Sequence, residues 1–252
     1  MLGDLTPAYG WRSRVLSLLA GGIVWEGIAR LAASPFLPSC TATARALADL
    51  IRGGTIAASL GASLTNLAIG FSGAAAGGVA IGVAMARART VELIVEPYLD
   101  ALMAAPGVIY VPVLFTFFGA TRAMQVGSVF FHVVFFVAAT TARALHQREG
   151  RLTTMAAAFG ATEPQVFWRV RWPAARPLVI SGLRMGALLA VKGLITGEMF
   201  VAFTGLGALV RTHGARFEAD KVMAMVLVIV AIAVALTSII DRVERRSRRM
   251  AT

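Results

Sequence analysis

The chain has 252 residues, of which 58% are hydrophobic and 15% charged, with a mean hydropathy of +0.75. That excludes an ordinary soluble domain, because the apolar surface exceeds what a core of this size buries, and a lipid bilayer is the solvent that accepts the remainder. The formal charge of +11 comes from 22 Arg and two Lys, and the arginines cluster beside hydrophobic spans, as orientation-setting charges do, so no nucleic-acid partner is expected.

A helix needs roughly 20 mainly apolar residues to cross the hydrocarbon layer, and six segments qualify, near 15–33, 64–85, 101–118, 124–142, 178–203 and 222–240. The predicted fold is therefore all-α, a polytopic membrane protein. No linker rich in Pro, Gly or Ser divides it, and one membrane domain over 1–252 is expected. Arg12 and Arg14 precede the first span as in a cleaved signal peptide, but Glu26 and Arg30 interrupt its apolar run, which favours an uncleaved helix. The single Cys40 excludes an intrachain disulfide and a cysteine metal cluster.

After the first span, Ala44, Leu47, Ala48 and Ile51 recur at helical spacing with Arg45, Asp49 and Arg52 on other faces, predicting an amphipathic helix along the membrane surface. In the second span Gly70, Ala74, Gly78, Gly82 and Ala86 make one face smooth, so that another helix can approach closely. Pro106 and Pro112 fall within the third span. Each removes a backbone donor and is expected to bend or break the helix. Irregular backbone at membrane depth is tolerated only inside protein or beside a water-filled cavity, which makes both prolines candidates for the translocation path. His132 lies on the fourth span among Phe130, Phe131, Phe135 and Phe136. A hydrogen-bonded packing role is favoured for it over a proton relay.

Between the fourth and fifth spans comes a polar, arginine-bearing loop, 150–176. A short helix over 154–159 is expected to stop at Gly160, which accepts a left-handed conformation. A second helix then starts at Thr162, with Gln165 at capping-box spacing and Glu163 and Pro164 in its first turn. Pro173 is expected to end that helix near Arg171 or Trp172. Val166, Phe167 and Val170 make its apolar face, Trp168 and Trp172 stack on another, and Arg169 and Arg171 stay polar. So short a helix is not stable alone in water and needs a partner surface.

The fifth span carries Lys192 and Glu198, and charges at such depth face protein or a cavity. Six residues apart they do not share a helix face. Pairing inside the bundle, with Glu26 as one partner for Lys192, and direct contact with an anionic substrate are both compatible with the sequence, as is a solvated position for Glu198 near the outer interface. With a cytoplasmic N-terminus, one side of the membrane receives 15 basic residues and the other seven. The positive-inside rule therefore predicts that both termini and the 150–176 loop are cytoplasmic.

The loop's spacing is specific. Thr154, Met155 and Ala156, then Gly160, Val170, Trp172 and Pro173, resemble the Glu-Ala-Ala motif by which permeases of bacterial ABC importers engage their ATPases. The segment GATEPQVFWRVRWPAARPLVISGLR, SPFLPS near the first span, the 106–119 stretch and GEMFVAFTGLGAL are similar to permeases for nitrate, sulfonates and taurine. The likeness spans about residues 34–246. Thr154 replaces the usual Glu, Met155 replaces Ala, and Trp172 replaces a smaller apolar residue.

The resemblance implies a type I importer permease fold with about six spans and a cytoplasmic coupling-helix loop. Ala156, Gly160, Thr162, Glu163, Pro164, Phe167, Arg169, Val170 and Pro173 are then the coupling residues, with Pro106, Pro112, Lys192 and Glu198 as candidates for the path. It also implies a second permease copy, two ATPase subunits that hold ATP and Mg, an extracytoplasmic binding protein contacted by the 204–221 turn, and a bacterial inner membrane location. A phosphate-binding loop needs Gly-Lys before Ser or Thr. Neither Lys192 nor Lys221 sits in such a setting, so no cofactor on this chain, and no enzymatic activity of its own, is expected. Two rival classes remain: a membrane enzyme built on His146 and Glu149, and a secondary transporter, which calls for inverted repeats and more intramembrane acids.

Overall fold

A computed structural model of the chain describes residues 11–146, 150–201 and 204–249. Glu149, Phe203 and both chain ends lie outside the described residues. Every regular element among them is helical, and they fall into two compact units, Met1–Ala57 with Leu209–Leu227 and Ala58–Ala208 with Val228–Thr252.

In the first unit, α1 (Trp11–Ala32) is followed by α2 (Cys40–Arg52). Leu16, Leu18 and Leu31 on α1 are exposed, as on a helix whose solvent is lipid. Glu26 ties the two helices together: its carboxylate accepts from Arg30 Nε at 2.9 Å, from Thr41 N–H at 3.1 Å and from the Thr41 hydroxyl at 2.9 Å. Glu26 is thus engaged by Arg30 and Thr41 instead of the lysine suggested for it. Trp25 Nε1 donates to Pro38 O at 3.0 Å. Ser39 caps α2 by accepting from Ala42 N–H at 3.1 Å. The stripe predicted for α2 is displaced, since Thr43, Ala46 and Leu50 are buried while Ala44 and Ile51 are exposed. Thr43 can be buried because its hydroxyl donates to Ser39 O at 3.0 Å.

The second unit is organised on α6 (Arg122–His146), half of whose span is buried. Val129, Val133, Val134 and Val137 of α6 form one core with Leu67 and Ala74 of α3 (Thr55–Arg87) and Ala190, Val191 and Leu194 of α9 (Trp172–Val201). The small-residue face of α3 meets α6: a Cβ on Gly78 would lie 2.8 Å from Val134 O, and one on Gly82 2.6 Å from Ala138 O. Close approach of this kind supplies dispersion contacts where lipid removes the hydrophobic drive between helices.

The third expected span is not one helix. The chain forms α4 (Arg89–Ala104), a single 3-10 turn over Gly107–Ile109 and α5 (Tyr110–Phe118), bent by 96° at the break. Pro106 stands at that break. Pro112 bends nothing, because it falls in the first turn of α5, where N–H groups have no intrahelical acceptor to lose. The other expected spans are found, so among the described residues five helices are long and apolar enough to cross a membrane, or six if the bent pair counts as one.

Candidate functional site

The loop after α6 is built by two caps in series. In α7 (Arg151–Ala158) the carbonyls of the last turn are closed by Gly160 N–H to Ala157 O at 2.9 Å and Ala161 N–H to Ala156 O at 3.0 Å. Gly160 has φ +82°, with nothing within 4 Å of a Cβ placed there, so the glycine answers a backbone need and not a crowded space. Thr162 then opens α8 (Glu163–Val166) in extended conformation, and its N–H donates to Gln165 Oε1 at 2.9 Å. The predicted capping box is formed, with Gln165 closing it from the third position of the helix. Glu163 sits in the first turn, where the helix dipole favours a carboxylate.

Pro173 does not end the second helix. Residues Phe167–Arg171 form a π turn in which Trp172 N–H donates to Phe167 O, and helix runs from Glu163 through to Phe200. The widened turn shifts the hydrogen-bond ladder by one residue, so Pro173, which has no N–H, falls where the register changes and costs little.

The faces of this segment divide. Val166 and Phe167 are buried within the chain's own second unit, Phe167 against Ala144, Leu145, Ala175 and Val179. The Arg87 guanidinium lies 4.7 Å over the Phe167 ring. The partner surface that the short helix requires is thus, on this face, the protein itself. Val170 and Ala156 are half-buried, and Gly160, Thr162, Glu163, Pro164, Arg169 and Pro173 are exposed. Met155, Phe159 and Trp168 are exposed large apolar residues beside them, Phe159 at 87%. Trp168 stands edge-on to Phe167 and Trp172, with centroids at 5.1 and 6.2 Å. Sequence reasoning passed over Phe159, whose signal was a large aromatic directly before a helix-ending glycine in a polar loop.

The path candidates separate in the same way. A cavity of about 230 Å³ at the α4–α5 break is lined by Ala105, Gly107, Tyr110, Phe131, His132 and Phe135 among others, and not by Pro106 between the first two. His132 Nδ1 is 2.7 Å from Ser128 O, in keeping with a hydrogen-bonded packing role. Lys192 is exposed and makes no ion pair among the described residues. Glu198 is fully buried, not solvated at an interface. Its oxygens accept from the Ser63 hydroxyl at 2.7 and 2.9 Å and from Gly207 N–H at 2.9 Å, and its partners are a hydroxyl and an amide instead of a cation. No group of three or more His, Cys, Asp or Glu suited to a metal ion occurs among the described residues.

Comparison with known proteins places this geometry. Residues 78–249, which hold α4 through α11 (Ala219–Arg249) and the whole two-helix loop, match the family described as binding-protein-dependent transport system inner membrane component. The chain is 28% identical over 187 residues to the taurine transport system permease protein TauC of Escherichia coli (strain K12), covering 74% of this chain and 68% of that protein. It is 23% identical over 240 residues to the putative aliphatic sulfonates transport permease protein SsuC of Bacillus subtilis (strain 168), covering 94% and 87%. The fold matches a chain of the MetNI methionine ABC transporter in an inward-facing conformation, with a TM-score of 0.61 and 20% identity over 79% of this chain and 95% of that one. The family match covers more than half of the chain and includes every element of the loop, and the chain belongs to the inner membrane components of binding-protein-dependent transport systems, the permeases of ABC importers.

Proposed function

We propose that two copies of this chain form the translocation path of an importer for a small anion, with the 150–176 loops seated on two ATPase subunits that hold ATP and Mg. An extracytoplasmic binding protein delivers the cargo to the opposite face, against the 204–221 turn. Both termini and the loop face the cytoplasm of a bacterial inner membrane, by the distribution of arginine. ATP chemistry belongs to the partner subunit, since neither lysine here stands in a phosphate-binding loop. A cargo that carries an anionic group is supported by the relatives, which are named for taurine and aliphatic sulfonates.

One observation carries this reading: the exposed loop residues are continuous with a membrane helix. From Glu163 to Phe200 the chain is helical for 38 residues, about 57 Å at 1.5 Å per residue. A displacement at Trp168 or Arg169 therefore reaches α9 along one continuous helix, through the π turn at Phe167–Arg171 and past Pro177. Such a rod suits a mechanism in which ATPase closure alternates access between two states.

The test is co-purification of the tagged permease with a co-expressed ATP-binding-cassette ATPase, followed by ATP-driven uptake in proteoliposomes. The wild-type chain is expected to retain the ATPase. The double variant Trp168→Ala, Arg169→Glu is expected to lose it while keeping its own thermal stability. Full retention and uptake in that variant would overturn the role given to this face, and uptake without any ATPase would favour a secondary transporter.

A further inference from the structure

The helix α11 does not stop where its apolar run does. It covers 31 residues, about 46 Å at 1.5 Å per residue, whereas the run apolar enough to cross a membrane closes at Arg242. The hydrocarbon layer is about 30 Å thick, and headgroups add about 5–8 Å on each side. The helical turns over 243–249, about 10 Å long, therefore begin at the level of the headgroups.

These turns are one-sided in charge. Arg242, Arg245, Arg246, Arg248 and Arg249 stand against a single acid, Glu244, which leaves four positive charges over 242–249. The next acid back along the helix, Asp241, lies 3.2 Å from the Arg184 guanidinium of α9, so it ties α11 to α9 and is already paired.

Helical phase places the arginines. Ile229, Ile232 and Leu236 pack on the core shared by α3, α6 and α9, whereas Val230, Val234 and Ala235, on the opposite half of the helix, are exposed. Continued at 3.6 residues per turn, all five arginine positions fall on that exposed half, and Val243 and Ser247 take the core-side positions. Arg242 is itself exposed. One half of α11 thus reads as aliphatic and then basic, the order in which a phospholipid presents its acyl chain and its phosphate. A merely solvated tail requires the charge but not this register. Arginine fits the task, since its guanidinium pairs bidentately with phosphate while its stem stays in the apolar layer.

We propose that the arginine-bearing end of α11 is a binding surface for anionic phospholipid, with the phosphate held at positions 242–249 and the acyl chain along the exposed half above it. The contact fixes that end of α11 at headgroup level. It adds a lipid partner that the importer reading does not require, and it stands whether or not the chain engages an ATPase.

The experiment is native mass spectrometry of the full chain, released from neutral detergent and titrated with phosphatidylglycerol or phosphatidylcholine of matched acyl chains. Wild type is expected to retain phosphatidylglycerol about tenfold more tightly, as several arginines at a headgroup surface allow. The variant Arg245→Gln, Arg246→Gln, Arg248→Gln, Arg249→Gln is expected to bind both lipids alike, and the same four positions changed to Lys should keep the preference, since the charge survives. Inorganic phosphate is expected not to displace the lipid. Equal affinities in wild type, an undiminished preference in the Gln variant or its loss in the Lys variant would overturn the proposal, and displacement by inorganic phosphate would replace the lipid with a free-phosphate site. ATPase retention in phosphatidylcholine nanodiscs is scored separately. Retention lost in the Gln variant, with no lipid preference in wild type, would assign the arginines to the protein partner instead, while absence of the ATPase from wild type would count against the importer reading alone.

Discussion

The Ser63 hydroxyl bridges to Glu198 from a helix 135 residues away in sequence and at the same time accepts the Leu206 N–H at 2.9 Å. One serine therefore joins α3, α9 and the start of α10 (Leu206–Ala215). The buried carboxylate is tolerated because its oxygens receive the hydroxyl and the Gly207 amide. Gly205, at φ +106°, completes the turn, and a Cβ there would collide with the carboxylate. Ser63→Ala is expected to lower stability by about 1–3 kcal/mol, the cost of leaving a buried acceptor short of a donor. Gly205→Ala should be worse, since it adds a clash to backbone strain. Thermal unfolding in detergent checks both, and an unshifted transition in Gly205→Ala would contradict the latch.

Phe167 and Trp168 are neighbours with opposite fates. Phe167→Ala removes a buried ring and the seat of the Arg87 guanidinium, and is expected to destabilise the permease by about 3–5 kcal/mol. Trp168→Ala touches an exposed ring and should leave the unfolding transition within about 0.5 kcal/mol of wild type. The two variants thus separate fold from docking: unfolding shifts for one and ATPase retention for the other. A stable Phe167→Ala permease would mean that this ring is not part of the core.

The contact of α3 with α6 predicts a contrast between two glycines five residues apart. At Gly78 an added Cβ would stand 2.8 Å from both Val134 O and the Val137 Cβ, whereas at Gly73 the nearest atom is on the Phe130 ring at 3.7 Å. Gly78→Ala is expected to cost about 1–3 kcal/mol through overpacking. Gly73→Ala should be neutral or slightly stabilising, because alanine is the better helix former. Thermal unfolding of the pair decides this, and equal behaviour would argue against close helix approach at Gly78.

What was legible in the sequence is what local physics controls. Long apolar runs, the small-residue face of α3, the Gly160 stop and the Thr162 start all depend on residues close together in the chain. Pro173 misled because the rule that proline ends a helix presumes the α ladder, and the π turn at Phe167–Arg171 is a register change that residue types do not announce. Phe167 misled for another reason: an apolar face on a short loop helix says that burial is needed, not by which surface. The partners of Glu198 were out of reach because Ser63 and Gly207 are brought together by the tertiary fold. For α2, periodicity found an amphipathic helix but placed its buried stripe one residue off, since a threonine with a satisfied hydroxyl counts as core.

The turn after α10 makes a prediction about pH. Glu218 accepts from His213 Nδ1 at 2.5 Å and pairs with Lys221 Nζ at 3.1 Å, while Phe217 at φ +57° packs edge-on to Phe36 with centroids 6.2 Å apart. The hydrogen bond from His213, then that from Lys221, holds the Glu218 carboxyl below its ordinary value of 4.5. A carboxylate whose pKa is lower in the folded state binds its proton more tightly when unfolded. Its contribution is therefore present above the ordinary value and is lost as pH falls through the depressed one. Glu218→Gln removes the charge at every pH, so wild type should unfold at higher temperature than the variant near neutrality. The difference should shrink to nothing only at pH below the usual carboxylate range. Unfolding temperatures of both proteins across an acid series provide the check. A difference that persists at the lowest pH, or vanishes while the carboxylate is still ionised, would show that the ion pair is not what orders this turn.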